Sequence, residues 1–306
     1  MRILLTGAGG NLGRVTAPAL ADQGHTPVLF DFRELDTPYE LVNGDIRNLE
    51  DIRRAVDGVD TIVHAAALHG IHLNSWQPHD YWAINVTGTF NIYEAARMAG
   101  IGHIVLASTM AVYGRSSEPP VDSWGMVTET SALLPNDVSG MSKLLCEHLA
   151  QEYAREWEIE TVALRLGMFV PETFVRYGFR LVFGGVDDRD VAQAVLLALN
   201  HRPQAKFDAV NIFSDVPFDL RDARELATNP NSVLERYWPG VTAVIDAKQL
   251  NLGDLLWGRC IWPPDKAKRV LGFRPHFTFA QFLEALRHDN PAHYPYAELP
   301  HWGINP

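Results

Sequence analysis

The sequence predicts an α/β fold: a doubly wound parallel sheet with a small C-terminal lobe. Three observations carry this. Strand-length apolar runs alternate with helix-period segments through the first two-thirds of the 306 residues, the pattern of a parallel sheet covered on both faces. A glycine-rich turn, Gly7-Ala8-Gly9-Gly10-Asn11-Leu12-Gly13, follows the first run directly. The second run, residues 26–30, ends in Asp31. Glycines at a strand end let the chain turn sharply, let the backbone approach a pyrophosphate, and let the next helix lie close on the sheet. The helix N-terminus adds free N–H groups and a positive dipole end. An acidic residue about 20 residues beyond the glycines is placed to hold ribose hydroxyls. Together these marks describe a Rossmann-type dinucleotide site. Asp31 repels a 2′-phosphate and so favours NAD, while Arg33 beside it moderates that preference. Taken alone, the glycines would also fit a tight turn without a nucleotide; the acidic mark in register argues against it.

The elements follow in order. Residues 2–6 carry the apolar run Ile3-Leu4-Leu5, as a strand buried on both faces should, and a helix is expected from Asn11 to about residue 22. Residues 26–31 and 41–45 read as the next strands, then 49–56 as a short helix and 61–66 as the fourth strand. Residues 81–98 carry apolar side chains at helical spacing. Residues 103–108 are a fifth strand, 137–156 a long helix and 161–167 a sixth strand. Beyond these, 190–199 reads as a helix and 207–213 as a strand, and 266–287 as two short helices around Gly272-Phe273-Arg274-Pro275. The tail from Asn290, rich in Pro, His, Tyr and Trp, is expected to lie extended over the surface or across a subunit contact. Residues 1–167, with 186–213 supplying late sheet elements, form the expected nucleotide-binding domain. Residues 168–185 and 214–306 form the substrate lobe and tail.

Composition narrows the function. A formal net charge of −11 makes nucleic acid and anionic membrane surfaces unfavourable partners. Cys146 and Cys260 are the only cysteines, so neither a disulfide framework nor a cysteine metal site is indicated. A strand starting at residue 2 leaves no room for a signal peptide, and no apolar run approaches a membrane span. A cytoplasmic enzyme-sized chain is expected.

Further motifs lie at the predicted strand ends and on the long helices. They are Gly44-Asp45-Ile46, His64-Ala65-Ala66-Ala67, Asn85-Val86-Thr87-Gly88-Thr89 and Ser108-Thr109-Met110-Ala111-Val112-Tyr113-Gly114. Ser142-Lys143-Leu144 with Glu147, Leu164-Arg165 and Asp190-Val191-Ala192 complete the set. In this order and spacing the chain resembles the extended short-chain dehydrogenase/reductase family, the NAD-dependent epimerase/dehydratase group. The resemblance implies NAD held by Gly7, Gly10, Asn11, Leu12 and Gly13 at the phosphates and by Asp31 at the adenosine ribose. Asp45 and Ile46 would flank the adenine, with Ala65, Ala66 and Ser108 along the dinucleotide. Thr109 would orient the substrate oxygen, Lys143 hold the nicotinamide ribose, and Asn85 support the catalytic backbone.

The family's catalytic tyrosine, four residues before the lysine, is Ser139 in this chain. A serine hydroxyl is shorter than a phenol and far less acidic. Loss of a positioned general acid/base costs about 10² to 10⁴ in rate. Three readings remain open: an altered active-site form, an enzyme in which another group moves the proton, and an NAD-binding protein without turnover. His69, His72, Asp137 and Tyr113 are the candidate replacements, each with an ordinary structural role as its alternative. A metal site from His64, His69, His72 and His79 matches no ligand spacing, and no metal is expected.

About twenty residues separate the sixth strand from the helix at Asp190. That is shorter than the insertion that nucleotide-sugar-binding relatives carry, and it resembles the compact uronate dehydrogenases. Arg176 and Arg180 lie in it, and an arginine fork suits a substrate carboxylate; pairing with Asp187 or Asp188 is the competing role. His69 and Thr109 are the other expected substrate contacts. The expected function is NAD-dependent oxidation of a sugar, sugar acid or similar small polar alcohol. A nucleotide-sugar epimerase or dehydratase and a non-catalytic NAD-binding regulator are the alternatives. By resemblance, residues 81–98 and 137–156 would form a homodimer contact.

Overall fold

The computed structural model describes residues 1–255 and 258–297. Among them, nine strands run in chain order: β1 (Arg2–Thr6), β2 (Thr26–Asp31), β3 (Glu40–Asn43), β4 (Thr61–His64), β5 (His103–Thr109), β6 (Gly125–Met126), β7 (Glu160–Leu166), β8 (Phe207–Ile212) and β9 (Cys260–Ile261). Seven of these build one parallel sheet in the order β3-β2-β1-β4-β5-β7-β8. The chain winds outward from β1 in one direction as far as β3, then in the other from β4. The switch therefore falls between β1 and β4, where a crevice opens at the carboxyl ends of the strands.

Side-chain alternation along β1 divides the core. Ile3 and Leu5 face the helices Asn11–Asp22 and Asp188–Asn200, packing with Leu12, Leu20, Val191 and Val195. Leu4 faces the other side with Val28, Phe30, Ile92 and Tyr93, under the helices Leu49–Ala55, Gly88–Ala99 and Val138–Trp157. Burial on both faces is why these strands read as unbroken apolar runs. A third cluster, centred on Tyr177, Phe179, Phe183, Phe279 and Phe282, forms the core of the C-terminal region.

Four local features depart from the sequence expectation. The fourth strand ends at His64, not at residue 66, because the Ala65 and Ala66 N–H groups turn to Thr6 Oγ1 (both 3.2 Å) and leave the ladder. The expected helix over 81–98 is interrupted by a π-helical turn, Trp82–Thr87, between Pro78–Tyr81 and Gly88–Ala99. At that wide turn the Asn85 carbonyl accepts from Cys146 Sγ (3.2 Å). A two-stranded parallel sheet, β6 with β9, joins segments too short to signal themselves. The tail, finally, folds back: Tyr294 is buried and stacks on Tyr177 with ring centroids 3.8 Å apart. Trp257 and Trp302 lie outside the described residues.

Two glycines of the first turn are required by close approach. Gly7 has φ +67°, and a Cβ there would lie 2.7 Å from the Ala66 backbone. A Cβ at Gly13 would lie 2.2 Å from the Ala8 carbonyl oxygen. Substituting Gly13→Ala must push the helix off the turn. The expected outcome is a loss of about 1–3 kcal/mol in urea unfolding, together with weaker NAD binding; an unchanged midpoint would contradict this account of the turn.

Candidate functional site

A cleft of about 450 Å³ opens at the carboxyl ends of β1, β2, β4, β5 and β7. At one end, Gly7, Gly10, Asn11 and Leu12 contribute the turn after β1, with Asp31 and Arg33 from the end of β2 and Asp45 and Ile46 from the segment after β3. In the middle lie Ala65, Ala66, Ser108, Thr109 and Lys143. His69 and the segment 167–170 line the far end. Eleven of the twelve residues expected at the cofactor thus line one cavity; Gly13 sits a turn deeper, against Ala8.

The turn end is organised around a buried carboxylate. Asp31 Oδ2 accepts from the Gly9 N–H (2.9 Å), and Oδ1 accepts from the Arg33 N–H (3.1 Å) and Nε (3.0 Å). The Arg33 guanidinium lies over Gly9, where even a methyl group would collide with it. This set fits a dinucleotide. Bare backbone at Gly7 and Gly10 admits a diphosphate, and a carboxylate at the next strand end accepts from a ribose hydroxyl. Arg33 neutralises that carboxylate and tempers its repulsion of a 2′-phosphate.

Below the turn, a chain of hydrogen bonds has a determined direction. Thr6 Oγ1 accepts from the Ala65 and Ala66 N–H groups, so its own hydroxyl donates to His64 Nδ1 (2.7 Å). His64 must then carry its proton on Nε2 and donate to Thr89 Oγ1 (2.9 Å). Thr89 Oγ1 lies 3.3 Å from Cys146 Sγ, which donates to the Asn85 carbonyl. Burial, with Lys143 nearby, depresses His64 to about 3, so the ring stays neutral as the chain requires.

Asn85 does not line the cleft. Its amide clamps Leu68, accepting from the backbone N–H and donating to the carbonyl (both 2.8 Å), and donates to Ser142 Oγ (2.8 Å). It therefore positions both the loop carrying His69 and the helix carrying Lys143. Lys143 Nζ donates to the Ala107 carbonyl (2.7 Å), and burial lowers its pKa. Ser108 donates to Glu147 (2.5 Å), which is paired with Arg165 (2.6 Å), both carboxylate and guanidinium being buried. Arg165 also donates to Tyr113 (2.9 Å), which donates to Asn211 (2.7 Å). Tyr113 is thus tied into a buried polar network away from the cleft, and it does not reach a substrate.

Ser139 lies in the first turn of the helix Val138–Trp157, whose N-cap Asp137 accepts from the Gly140 N–H (2.7 Å). Its Oγ is buried without a hydrogen-bond partner among the described residues, and it does not line the cleft. His69 does line it. One ring nitrogen accepts from the His72 backbone N–H, and the His72 ring lies edge-on at 4.5 Å. Burial, with His72 and Lys143 nearby, depresses His69 to about 3. Its neutral ring, with one nitrogen accepting, carries the proton on the other and is a hydrogen-bond donor.

The structure places the two expected substrate arginines elsewhere. Arg180 is fully buried, donating to Glu172 (3.2 Å), Asp188 (3.2 Å), Tyr294 and the Val170 carbonyl. Burial pushes Asp188 up to about 7 against the pull of Arg180. Arg176 is exposed beside Glu172 (3.8 Å). Neither lines the cleft. Arg180 acts instead through Val170, holding the segment that walls its far end. Met168 and Val170, beside Phe169 in that wall, escaped sequence reasoning, because nothing in a short loop between strand and helix marks which side chains face a cavity. No group of three His, Cys, Asp or Glu that could hold a metal occurs among the described residues, and no described helix is long and apolar enough to cross a membrane.

Comparison with known proteins gives consistent matches. The model of the NAD-dependent epimerase/dehydratase family matches residues 3–173. The chain is 32% identical over 176 residues to a uronate dehydrogenase of Pseudomonas syringae pv. tomato, covering 56% of this chain and 60% of that one. It is 34% identical over 184 residues to L-arabinose 1-dehydrogenase (NAD(P)(+)) of Haloferax volcanii, covering 57% and 70%. It is 28% identical to a UDP-glucose 4-epimerase of Corynebacterium glutamicum, covering 54% and 50%. The matches thus span between half and about two-thirds of the relatives' length. The fold superposes on the crystal structure of UDP-N-acetylglucosamine 4-epimerase from Bacillus cereus with a TM-score of 0.68 at 23% identity, covering 95% of this chain and 99% of that one.

The neutral His64 carries a pH dependence. Its folded pKa lies below the ordinary value of 6.5, so the unfolded chain binds the extra proton first as pH falls. The stabilisation is complete above about pH 6.5 and is lost progressively as pH drops toward 3. The urea midpoint should therefore decline between pH 7 and pH 4.5, and His64→Asn should both lower the midpoint at pH 7 and flatten the decline. An equally steep decline in the variant would assign the titration elsewhere.

Proposed function

The chain belongs to the NAD-dependent epimerase/dehydratase family, and from that premise we propose that it is an NAD-dependent oxidoreductase acting on a sugar, sugar acid or similar small polar alcohol, in the cytoplasm. The observation that carries this reading is the single cleft in which the glycine turn and Asp31 share a surface with Thr109 and Lys143. NAD, when bound, supplies the hydride acceptor. In this reading the Gly7 and Gly10 backbone admits the diphosphate, and Asp31 accepts from the adenosine ribose. Asp45 and Ile46 flank the base, and the buried Lys143 ammonium donates to the second ribose. Thr109 orients the reacting oxygen, with the neutral His69 ring as a second donor.

Proton transfer belongs to position 139, and among the described residues the Ser139 hydroxyl neither lines the cleft nor makes a hydrogen bond. The proposed consequence is slow turnover. With saturating NAD and a panel of aldoses, uronates and polyols, Ser139→Tyr should raise NADH formation by about 10² to 10⁴. Calorimetric NAD titration of both proteins confirms that each is folded. NAD binding without NADH from either form would favour a redox-neutral epimerase or dehydratase, or a non-catalytic NAD-binding protein, for which the orphaned Ser139 hydroxyl is the supporting observation.

A homodimer is part of the same reading. Trp82 and Phe90 on one long helical segment and Met141 and Trp157 on the other are exposed, and Phe90 and Trp157 both pack on Tyr153. A contiguous apolar face of this kind fits a second copy of the chain. Phe90→Glu should convert a dimer to a monomer in light scattering; a monomeric parent protein would remove the proposal.

A further inference from the structure

The far end of the cleft is chemically one-sided. Ile71, Trp76, Ile84, Met110, Phe169 and Val170 line it, while the polar groups facing it are Thr109 and the His69 and His72 rings. Two of the cations that line the cavity are paired at the turn end, Arg33 with Asp31 (3.0 Å) and Arg47 with Asp45 (2.5 Å). Lys143, in the middle, donates to the Ala107 carbonyl and in the proposed reading to the second ribose. The two arginines of the adjoining helix Phe174–Arg180 are also engaged: Arg180 by Glu172 and Asp188 behind the wall, and Arg176 beside Glu172 at the surface.

A carboxylate or phosphate at this end would exchange part of its water for isoleucine, tryptophan and phenylalanine side chains. Among the described residues it would meet no cation beyond Lys143, which the ribose takes in the proposed reading, and a charge left unpaired against an apolar wall is disfavoured. An uncharged molecule with one apolar face meets the opposite situation. Its apolar face packs on Trp76 and Phe169, and its reacting oxygen accepts from Thr109 and His69. From this asymmetry we infer that the substrate is uncharged: a neutral alcohol or its carbonyl counterpart that presents an apolar face, and not a uronate or other anion. This rests on the oxidoreductase reading of the cleft and selects among the substrates that reading allows.

Trp76, inside the cleft, provides a direct probe. The full chain saturated with NAD is titrated with D-galactose and with D-galacturonate, which share a ring and differ by a carboxylate, and with cyclohexane-1,2-diol. Emission is followed in parallel with a Trp76→Phe control. The expected result is that galactose and the diol saturate the Trp76 signal at concentrations at least about tenfold below galacturonate. In a second variant, Phe169→Lys, the new cation should reverse the order of the two sugars.

Galacturonate binding as tightly as galactose, or no Trp76 response to either neutral probe, overturns the inference. So does a Phe169→Lys protein that binds NAD normally yet leaves the order unchanged. NADH absorbance is read in the same cuvettes and addresses the other question. Selective binding of the neutral probes without NADH, in both the parent chain and Ser139→Tyr, removes the oxidoreductase reading while the substrate charge stands.

Discussion

The cleft depends on how β4 leaves the sheet beside β1. Thr6 is the last residue of β1, paired with His64 at the end of β4. Its hydroxyl accepts from two backbone N–H groups that would otherwise seek a ladder partner, and donates a hydrogen bond to His64 Nδ1. With the strand ended there, Ala66 packs against Gly7, and only a residue without a side chain fits at that contact. The glycine turn and the loop leading to His69 are thus positioned by one threonine. A buried hydroxyl so fully used is costly to replace, since each backbone N–H left unpaired loses about 1–3 kcal/mol.

The middle and far end of the cleft are held by charge. Glu147 and Arg165, both buried, pin Ser108 at the end of β5 and draw Tyr113 into the same network. Arg180 does comparable work from the C-terminal region, donating to the Val170 carbonyl while Glu172, Asp188 and Tyr294 satisfy the rest of its guanidinium. Such pairs add little net stability, because desolvation offsets much of their attraction, but removing one partner strands the other. Their effect here is to specify where a loop sits. The wall formed by Phe169 and Val170 is as rigid as the arginine behind it.

Between these fixed ends, reach decides which side chains meet the cavity. Lys143 and Thr109 extend to the cavity, and Ser139, on the same helix face as Lys143 one turn earlier, stops short with its hydroxyl unpaired. His69 reaches the cavity but is neutral and already accepts a hydrogen bond. It is therefore suited to hold an oxygen and poorly suited to take a proton. The polar groups of the site can orient a substrate more readily than they can deprotonate it.

The sequence by itself determined the parallel sheet, the strand-turn-helix around the glycines, and most of the residues that meet at the glycine-turn end of the cleft. Those features are local: apolar runs report two-sided burial, glycine reports close approach, and Asp31 lies at a strand end whose position the run itself announces. Tertiary structure alone decided the far end. Arg180 is a buried strut because Glu172, Asp188 and Tyr294, the last 114 residues away, converge on it, and no spacing rule foretells which partners claim a charge. Asn85 works from outside the cavity because a π-helical turn aims its amide at Leu68. Periodicity reports which side of a helix is apolar. Which polar group reaches the cavity is settled only when distant segments pack.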